Sequence, residues 1–222
     1  MSRSDTDNEP ERRAPKRRSG GDQTRNVILD EAARLATVEG IEGLSIGRLA
    51  DAVGMSKSGV FALFGSKEEL QLATVESASA VFTAQVTEPA ASAPSGLERL
   101  RRLVDGYLGY VAGNTFPGGC FFASVLVEVS MRPGAVRDRL VRFLGDWLGE
   151  LETAVRDAQA ERALNHAEDA AQLAFEIEAA LLLANAQYVV ARTPEPIELA
   201  RRAIERRLAD AARVRRAAGG RK

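Results

Sequence analysis

The 222-residue sequence has one cysteine, Cys120, one histidine, His166, and few aromatic residues, which make up 5% of the chain. A single thiol forms no internal disulfide, and one thiol with one imidazole is too small a set for a structural zinc site, which takes about four ligands. We therefore expect no metal or other cofactor and no catalytic constellation. A lone cysteine also favours a reducing, cytoplasmic compartment.

The charge of the chain is nearly balanced, with thirty lysine and arginine residues against thirty-one aspartate and glutamate residues and a formal net charge of -1. No global positive field draws such a chain to nucleic acid or to an anionic membrane, so any attraction to phosphates must be local. The longest apolar run, Ala179 to Ala191, covers thirteen residues, whereas a membrane span needs about twenty. We expect no membrane partner.

Residues 1–22 differ in composition from the rest of the chain, because they hold no aliphatic or aromatic side chain apart from Met1 and Ala14. They bury too little surface to offset the entropy of ordering and are predicted to be a disordered arm. The arm either reaches DNA phosphates or a minor groove, or it is a solvated tail. Five of its basic residues fall within seven positions: Arg12, Arg13, Lys16, Arg17 and Arg18.

The remaining sequence carries helical periodicity without a strand pattern, which predicts an all-α fold. Capping residues and glycines divide it into a headpiece (residues 23–70), a larger helical domain (residues 71–217) and a flexible tail (residues 218–222). The expectations for the larger domain are a fourth helix broken at Pro89 and Pro94, a buried helix over 121–131, Pro133 in the first turn of the next helix, and two final helices over 168–192 and 196–217.

The headpiece has the spacing of a helix-turn-helix. Two short helices are predicted, one capped by Ser45 and ended by Gly54, and the other capped by Ser56. Ala50 is small where the two backbones approach, and Val60 packs the second helix against the first. In a DNA-binding unit of this kind the second helix lies in the major groove, but an ordinary helical hairpin without a ligand has the same spacing.

The segment from Thr24 to Leu70 resembles the N-terminal signature of TetR-type transcriptional regulators. The resemblance implies a three-helix DNA-binding domain followed by a helical domain for effector binding and dimerisation. It also implies a homodimeric repressor, without catalysis, that a small-molecule effector releases from a pseudo-palindromic operator. The matching runs are IEGLSI at 41–46, LADAVGMSKSGVF at 49–61 and FGSKEEL at 64–70.

The same resemblance implies which residues meet double-stranded DNA. Ser45 and Lys67 match phosphate-binding positions, and Lys57 opens the recognition helix, where it can donate to a guanine edge. Phe61 stands where the family usually has tyrosine, so a phosphate hydrogen bond is lost. The segment holds five basic and seven acidic residues, and this net acidity favours a role for the arm. The DNA-binding candidates are Ser45, Ser56, Lys57, Ser58, Phe61 and Lys67, with Arg17 and Arg18 of the arm.

Most aromatic residues lie in the larger domain, and apolar linings with a few polar groups are typical of small-molecule sites. An aromatic stripe at helical spacing is also the usual pattern of a core, so both interpretations stay open. Glu128 lies among apolar neighbours, and because a carboxylate is rarely buried without a partner, it either pairs with an arginine or faces a cavity. The effector-binding candidates are Tyr107, Phe122, Glu128 and Trp147.

The last two helices are candidates for dimerisation. The run 179–191 is apolar nearly all round and the last helix has an apolar stripe, so two helices from each chain are expected to form a four-helix interface. A two-fold dimer presents its recognition helices about 34 Å, or a multiple of that distance, apart. Activation instead of repression, a small-molecule enzyme with a helical active-site domain and a constitutive DNA-architectural protein stay open as alternatives.

Overall fold

The computed structural model describes residues 20–129 and 133–213, and no strand occurs in this part of the chain. The predicted all-α fold is therefore confirmed, with a helix-turn-helix headpiece followed by a larger helical domain. The helices are α1 Gly20–Glu39, α2 Ile46–Val53, α3 Lys57–Phe64, α4 Lys67–Phe82, α5 Glu88–Ala91, α6 Gly96–Ala112, α7 Phe121–Val129, α8 Ala135–Ala160, α9 Ala170–Ala191 and α10 Glu195–Ala212.

Local capping signals set the ends of α2 and α3 as expected. Ser45 Oγ accepts a hydrogen bond from the Arg48 amide at 3.2 Å, and Ser56 Oγ accepts one from the Gly59 amide at 3.1 Å. Gly54 ends α2 with φ +66°, in the left-handed region that favours glycine. The two helices therefore meet at a tight turn, and their shared core includes Ile28, Leu49, Ala50, Val60 and Leu70.

Helix α4 connects the headpiece to the larger domain. Its sixteen residues span about 24 Å at about 1.5 Å per residue. Phe82, its last residue, is buried against five aromatic rings of the larger domain. One continuous helix thus connects the headpiece to this aromatic cluster.

The predicted break of α4 at Pro89 is wrong. The chain continues from α4 through a π-helical turn, Thr83–Thr87, into α5, and leaves the helix at Ser92. Pro89 lies in the first turn of α5, where its missing amide N–H breaks no helical hydrogen bond. The wider π turn before Pro89 shifts the pairing of backbone N–H and C=O groups, so the helix tolerates the proline.

Three other boundaries differ from the sequence prediction. Helix α1 begins at Gly20, so the last three residues of the predicted arm are helical. Pro133 precedes α8, which starts only after Gly134. Helix α10 ends at Ala212, because Arg213 has an extended ψ of 123°. Residues 1–19, which include Arg17 and Arg18 of the arm, together with 130–132 and 214–222, lie outside the described residues.

Helix α9 is long and apolar enough to cross a bilayer by length and composition, with a hydropathy of 1.4, and it is the one such helix among the described residues. The run 179–191 is the C-terminal part of this 22-residue helix, whose first turns lengthen the apolar stretch. Core helices of helical proteins pass the same test. One face of α9 packs against α6, α8 and α10, as a core helix does.

Candidate functional site

The recognition helix candidate, α3, presents its N-terminal residues on the surface. Ser56, Lys57 and Ser58 are exposed, and the two serine hydroxyls lie 3.2 Å apart. The Lys57 side chain crosses Gly47 of α2, where an added β-carbon would lie 3.3 Å from Lys57 Cε. Phe61, one turn further along α3, is 56% exposed, so this large apolar ring faces solvent.

Lys57 is the one basic side chain between Thr24 and Leu70 with no partner in the described structure. Lys67, the matched phosphate-binding candidate, instead donates to the Glu42 carbonyl at 2.6 Å. The lysine ammonium has three N–H donors, so Lys67 can keep this hydrogen bond and still donate to a phosphate. The partnered cations of the headpiece are Arg25 over the Phe64 ring, Arg34 with Glu31, Arg48 with Glu39, and Lys67 with Glu42.

A cavity of about 250 Å³ lies in the larger domain between α4, α6, α7, α8 and α9. Tyr107, Phe122 and Trp147, three of the four effector-binding candidates, line it. Phe82 at the end of α4 forms part of its wall, so the helix that leaves the headpiece reaches the cavity directly. Six aromatic rings surround the space, from Phe82, Tyr107, Phe122, Phe143, Trp147 and Phe175.

Glu178 is the acidic residue of this cavity, and sequence reasoning missed it. It is 7% exposed, and its Oε2 accepts a hydrogen bond from Trp147 Nε1 at 2.7 Å. Burial raises the pKa of this carboxyl to about 7. A signal was present, because Glu178 shares the buried face of α9 with Ala174 and Leu181, but Glu178 immediately precedes the apolar run 179–191.

Two further polar groups belong to the cavity lining. The Tyr107 hydroxyl is buried against the Cys120 thiol and has no other hydrogen-bond partner among the described residues. Cys120 is 3% exposed, and burial raises the pKa of its thiol to about 11, which makes it a poor nucleophile at neutral pH. Its amide donates to Asn185 Oδ1 at 2.8 Å, so the backbone at Cys120 is tied to α9.

Two family models match the chain. The model for bacterial regulatory proteins of the tetR family covers residues 28–74, and the model for the tetracyclin repressor-like C-terminal domain covers residues 96–204. The chain belongs to the TetR family of transcriptional regulators. No curated protein matches it.

Solved structures of TetR-family regulators share the fold of this chain. A regulator from Chloroflexus aurantiacus is 24% identical with a TM-score of 0.78, covering 85% of this chain and 96% of that one. A regulator from Cytophaga hutchinsonii is 21% identical with a TM-score of 0.73, covering 88% and 98%. AibR, solved with isovaleryl coenzyme A and operator DNA, is 23% identical with a TM-score of 0.64, covering 80% and 94%.

Glu128 is not part of the cavity of this TetR-family chain, and its prediction as an effector-binding residue is wrong on this geometry. Its carboxylate accepts the Ile41 amide at 2.8 Å and the Glu42 amide at 2.9 Å. These amides follow the end of α1, and they are 87 and 86 residues away from Glu128 in the sequence. The carboxylate therefore joins α7 to the headpiece.

The turn after α1 is a junction of three helices. Glu128 of α7 binds the Ile41 amide, and Gln71 of α4 donates to the Ile41 carbonyl at 2.6 Å. Gly40, with φ +80°, leaves room for the Glu128 carboxylate, since an added β-carbon would lie 2.6 Å from Oε2. Helices α4 and α7, which both line the cavity, thus both bind the headpiece through Ile41.

Proposed function

We propose that this TetR-family regulator is a homodimeric repressor that binds a pseudo-palindromic operator through α3 and releases it when a small molecule occupies the aromatic cavity. The observation that carries the DNA-binding role is Lys57, an exposed and unpartnered cation at the start of α3. A lysine at the N-terminal end of a recognition helix can donate to guanine in the major groove. The same proposal places the regulator in the cytoplasm.

The test of DNA recognition is the affinity of a Lys57→Ala variant for an operator duplex selected from random sequence. We expect operator affinity to fall by about tenfold or more, since a side chain that reads a base contributes about 1–3 kcal/mol. The matched control is Arg156→Ala, because Arg156 is exposed on α8, outside α3, α9 and α10. Equal operator affinity for Lys57→Ala and wild type would remove α3 from the proposed interface.

The proposed release mechanism uses α4 and α7, because each has one part in the cavity and one part on the headpiece. Helix α4 places Phe82 in the cavity wall and Gln71 on Ile41. Helix α7 places Phe122 in the wall and Glu128 on the same turn. A ligand shifts the headpiece only if it binds one arrangement of these helices more tightly than the other. AibR, with both a ligand and operator DNA, supports this pairing of sites.

The proposed dimer interface is the exposed apolar stripe of α9. A continuous apolar stripe of this size on a surface helix marks an interaction site. Phe175 and Leu182 of the stripe also line the cavity, so a partner subunit would cover its rim. The exposed residues are Phe175 at 64%, Leu182 at 37%, Leu183 at 58% and Val190 at 86%, and Leu199 of α10 adds 48%.

A charge on this stripe tests the dimer. Leu183→Glu is expected to produce a monomer, because an interface that would bury Leu183 would have to bury an unpaired carboxylate. Sedimentation equilibrium measures the mass, and Thr153→Glu, at an exposed position of α8, is the control. A wild-type monomer, or a dimer in both variants, would contradict the proposed interface.

A further inference from the structure

The aromatic cavity contains an acid without a cationic partner. Glu178 accepts one hydrogen bond, from Trp147, and its other carboxyl oxygen accepts none from the described residues. No lysine, arginine or histidine lines the cavity within the described part of the chain. A buried carboxylate in this setting is stabilised either by a proton or by a positive charge that the protein itself does not supply.

The rings around Glu178 favour one sign of charge. The faces of aromatic rings are electron-rich, so they attract a cation and repel an anion. Six such rings line the cavity, and Trp147, the type of ring that binds cations best, contacts the carboxyl through the N–H at its edge. A carboxylate or phosphate ligand would find no basic side chain in this lining and would meet Glu178 instead.

The cavity is also of a size and polarity that suit a small apolar body with one charged end. Its volume is about 250 Å³, and its walls are apolar apart from Glu178, Tyr107 and Cys120. The Tyr107 hydroxyl lies against the Cys120 thiol, and its oxygen, with no other partner among the described residues, can accept from a ligand N–H. The polar groups thus offer acceptors on an otherwise apolar surface.

We propose that the effector of this regulator is a small hydrophobic organic ammonium ion, whose charged nitrogen is held by Glu178 and the surrounding aromatic rings. This inference rests on the proposed function, because it names the chemical class that the effector cavity takes. It assigns Glu178 as the residue that determines specificity for a cation.

The test uses three probes with a common phenyl group: benzyltrimethylammonium, its uncharged isostere neopentylbenzene, and the anion phenylacetate. Trp147 is the single tryptophan of the chain and lines the cavity, so its fluorescence reports occupancy. We expect benzyltrimethylammonium to bind at least about tenfold more tightly than neopentylbenzene, and phenylacetate not to bind. Equal or tighter binding of the neutral or the anionic probe would overturn the inference.

Glu178→Gln separates charge from shape, because glutamine can still accept the Trp147 hydrogen bond. The variant is expected to lose about tenfold or more in affinity for benzyltrimethylammonium and to bind neopentylbenzene as wild type does. Unchanged affinity for the cation would overturn the role of Glu178. Should the variant fail to fold, the comparison of the three probes on wild type decides the question alone.

The pH profile gives a second readout that a merely structural role would not produce. Since the cation binds the ionised carboxylate, wild-type affinity should rise from about pH 6 to about pH 8 and stay flat in Glu178→Gln. The other titratable groups facing Glu178 are Tyr107 of α6 and Cys120 before α7. Burial raises the pKa of Tyr107 well above its usual value and that of Cys120 to about 11, so neither titrates in this range.

Failure of this inference and failure of the proposed function give different results. Cavity occupancy is read from Trp147, and DNA release from the anisotropy of a labelled operator duplex. If benzyltrimethylammonium binds through Glu178 and leaves operator affinity unchanged, the ligand class stands and the repressor proposal fails. If only the neutral or anionic probe fills the cavity and releases DNA, the repressor stands and the cation inference is overturned.

Discussion

The substitution Glu178→Gln should change the pH dependence of stability even without a ligand. The pKa of Glu178 rises from 4.5 to about 7 on folding, and each unit corresponds to about 1.4 kcal/mol. The folded state keeps the Glu178 proton to a higher pH than the unfolded state does. The stability that this proton contributes is therefore fully present below pH 4.5 and is lost as the pH rises through about 7. The complete loss is about 3 kcal/mol, and glutamine does not titrate.

Urea denaturation at fixed protein concentration measures this effect. Between about pH 5 and about pH 8, the free energy of unfolding of wild type should fall by about 2.5 kcal/mol relative to that of Glu178→Gln. Glu198→Gln, at an exposed position of α10, is the matched control and should follow wild type. Parallel pH curves for wild type and Glu178→Gln would refute the argument that the carboxyl is buried without a charge partner.

Three further predictions concern other parts of the chain. Glu128→Gln removes the charge that binds two headpiece amides and should destabilise that turn by about 1–2 kcal/mol. Hydrogen exchange of these two amides should then be about tenfold faster than in wild type. Exchange as slow as in Glu88→Gln, an exposed control, would contradict this prediction. Deletion of residues 1–19 should lower DNA affinity and the dependence of affinity on salt, by about 0.9 in slope per lost phosphate contact; an unchanged slope would refute a role for the arm. Cys120 should resist alkylation in the folded protein at neutral pH because it is buried with a raised pKa, and modification as fast as in urea would be inconsistent with the structure.

The headpiece was predictable because its signals are local. Ser45 and Ser56 cap helices within three residues of themselves, and Gly54 supplies a backbone conformation that other residues rarely adopt. Each such signal is read from a window of a few residues. The order and approximate bounds of the larger helices followed from apolar periodicity for the same reason.

The functions of Glu128, which is partly buried, and of Glu178, which is buried, were not predictable, because they depend on partners far away in the sequence. Glu128 and its partner Ile41 are separated by 87 residues, and no local pattern indicates that α7 reaches the headpiece. Glu178 and Trp147 are separated by 31 residues. A helical face shows that such a carboxylate is buried, and only the packing of the helices decides what it binds.

The most direct test of the account is the ratio of the affinities of the full chain for a selected operator duplex and for a shuffled duplex of the same composition. Fluorescence anisotropy measures both affinities. The measurement is made at about 150 mM salt, because salt at this concentration suppresses most of the sequence-independent attraction to phosphates. We expect a preference of about a thousandfold or more for the selected duplex, with a palindromic consensus in the selected duplexes. A ratio near one would contradict a sequence-specific regulator.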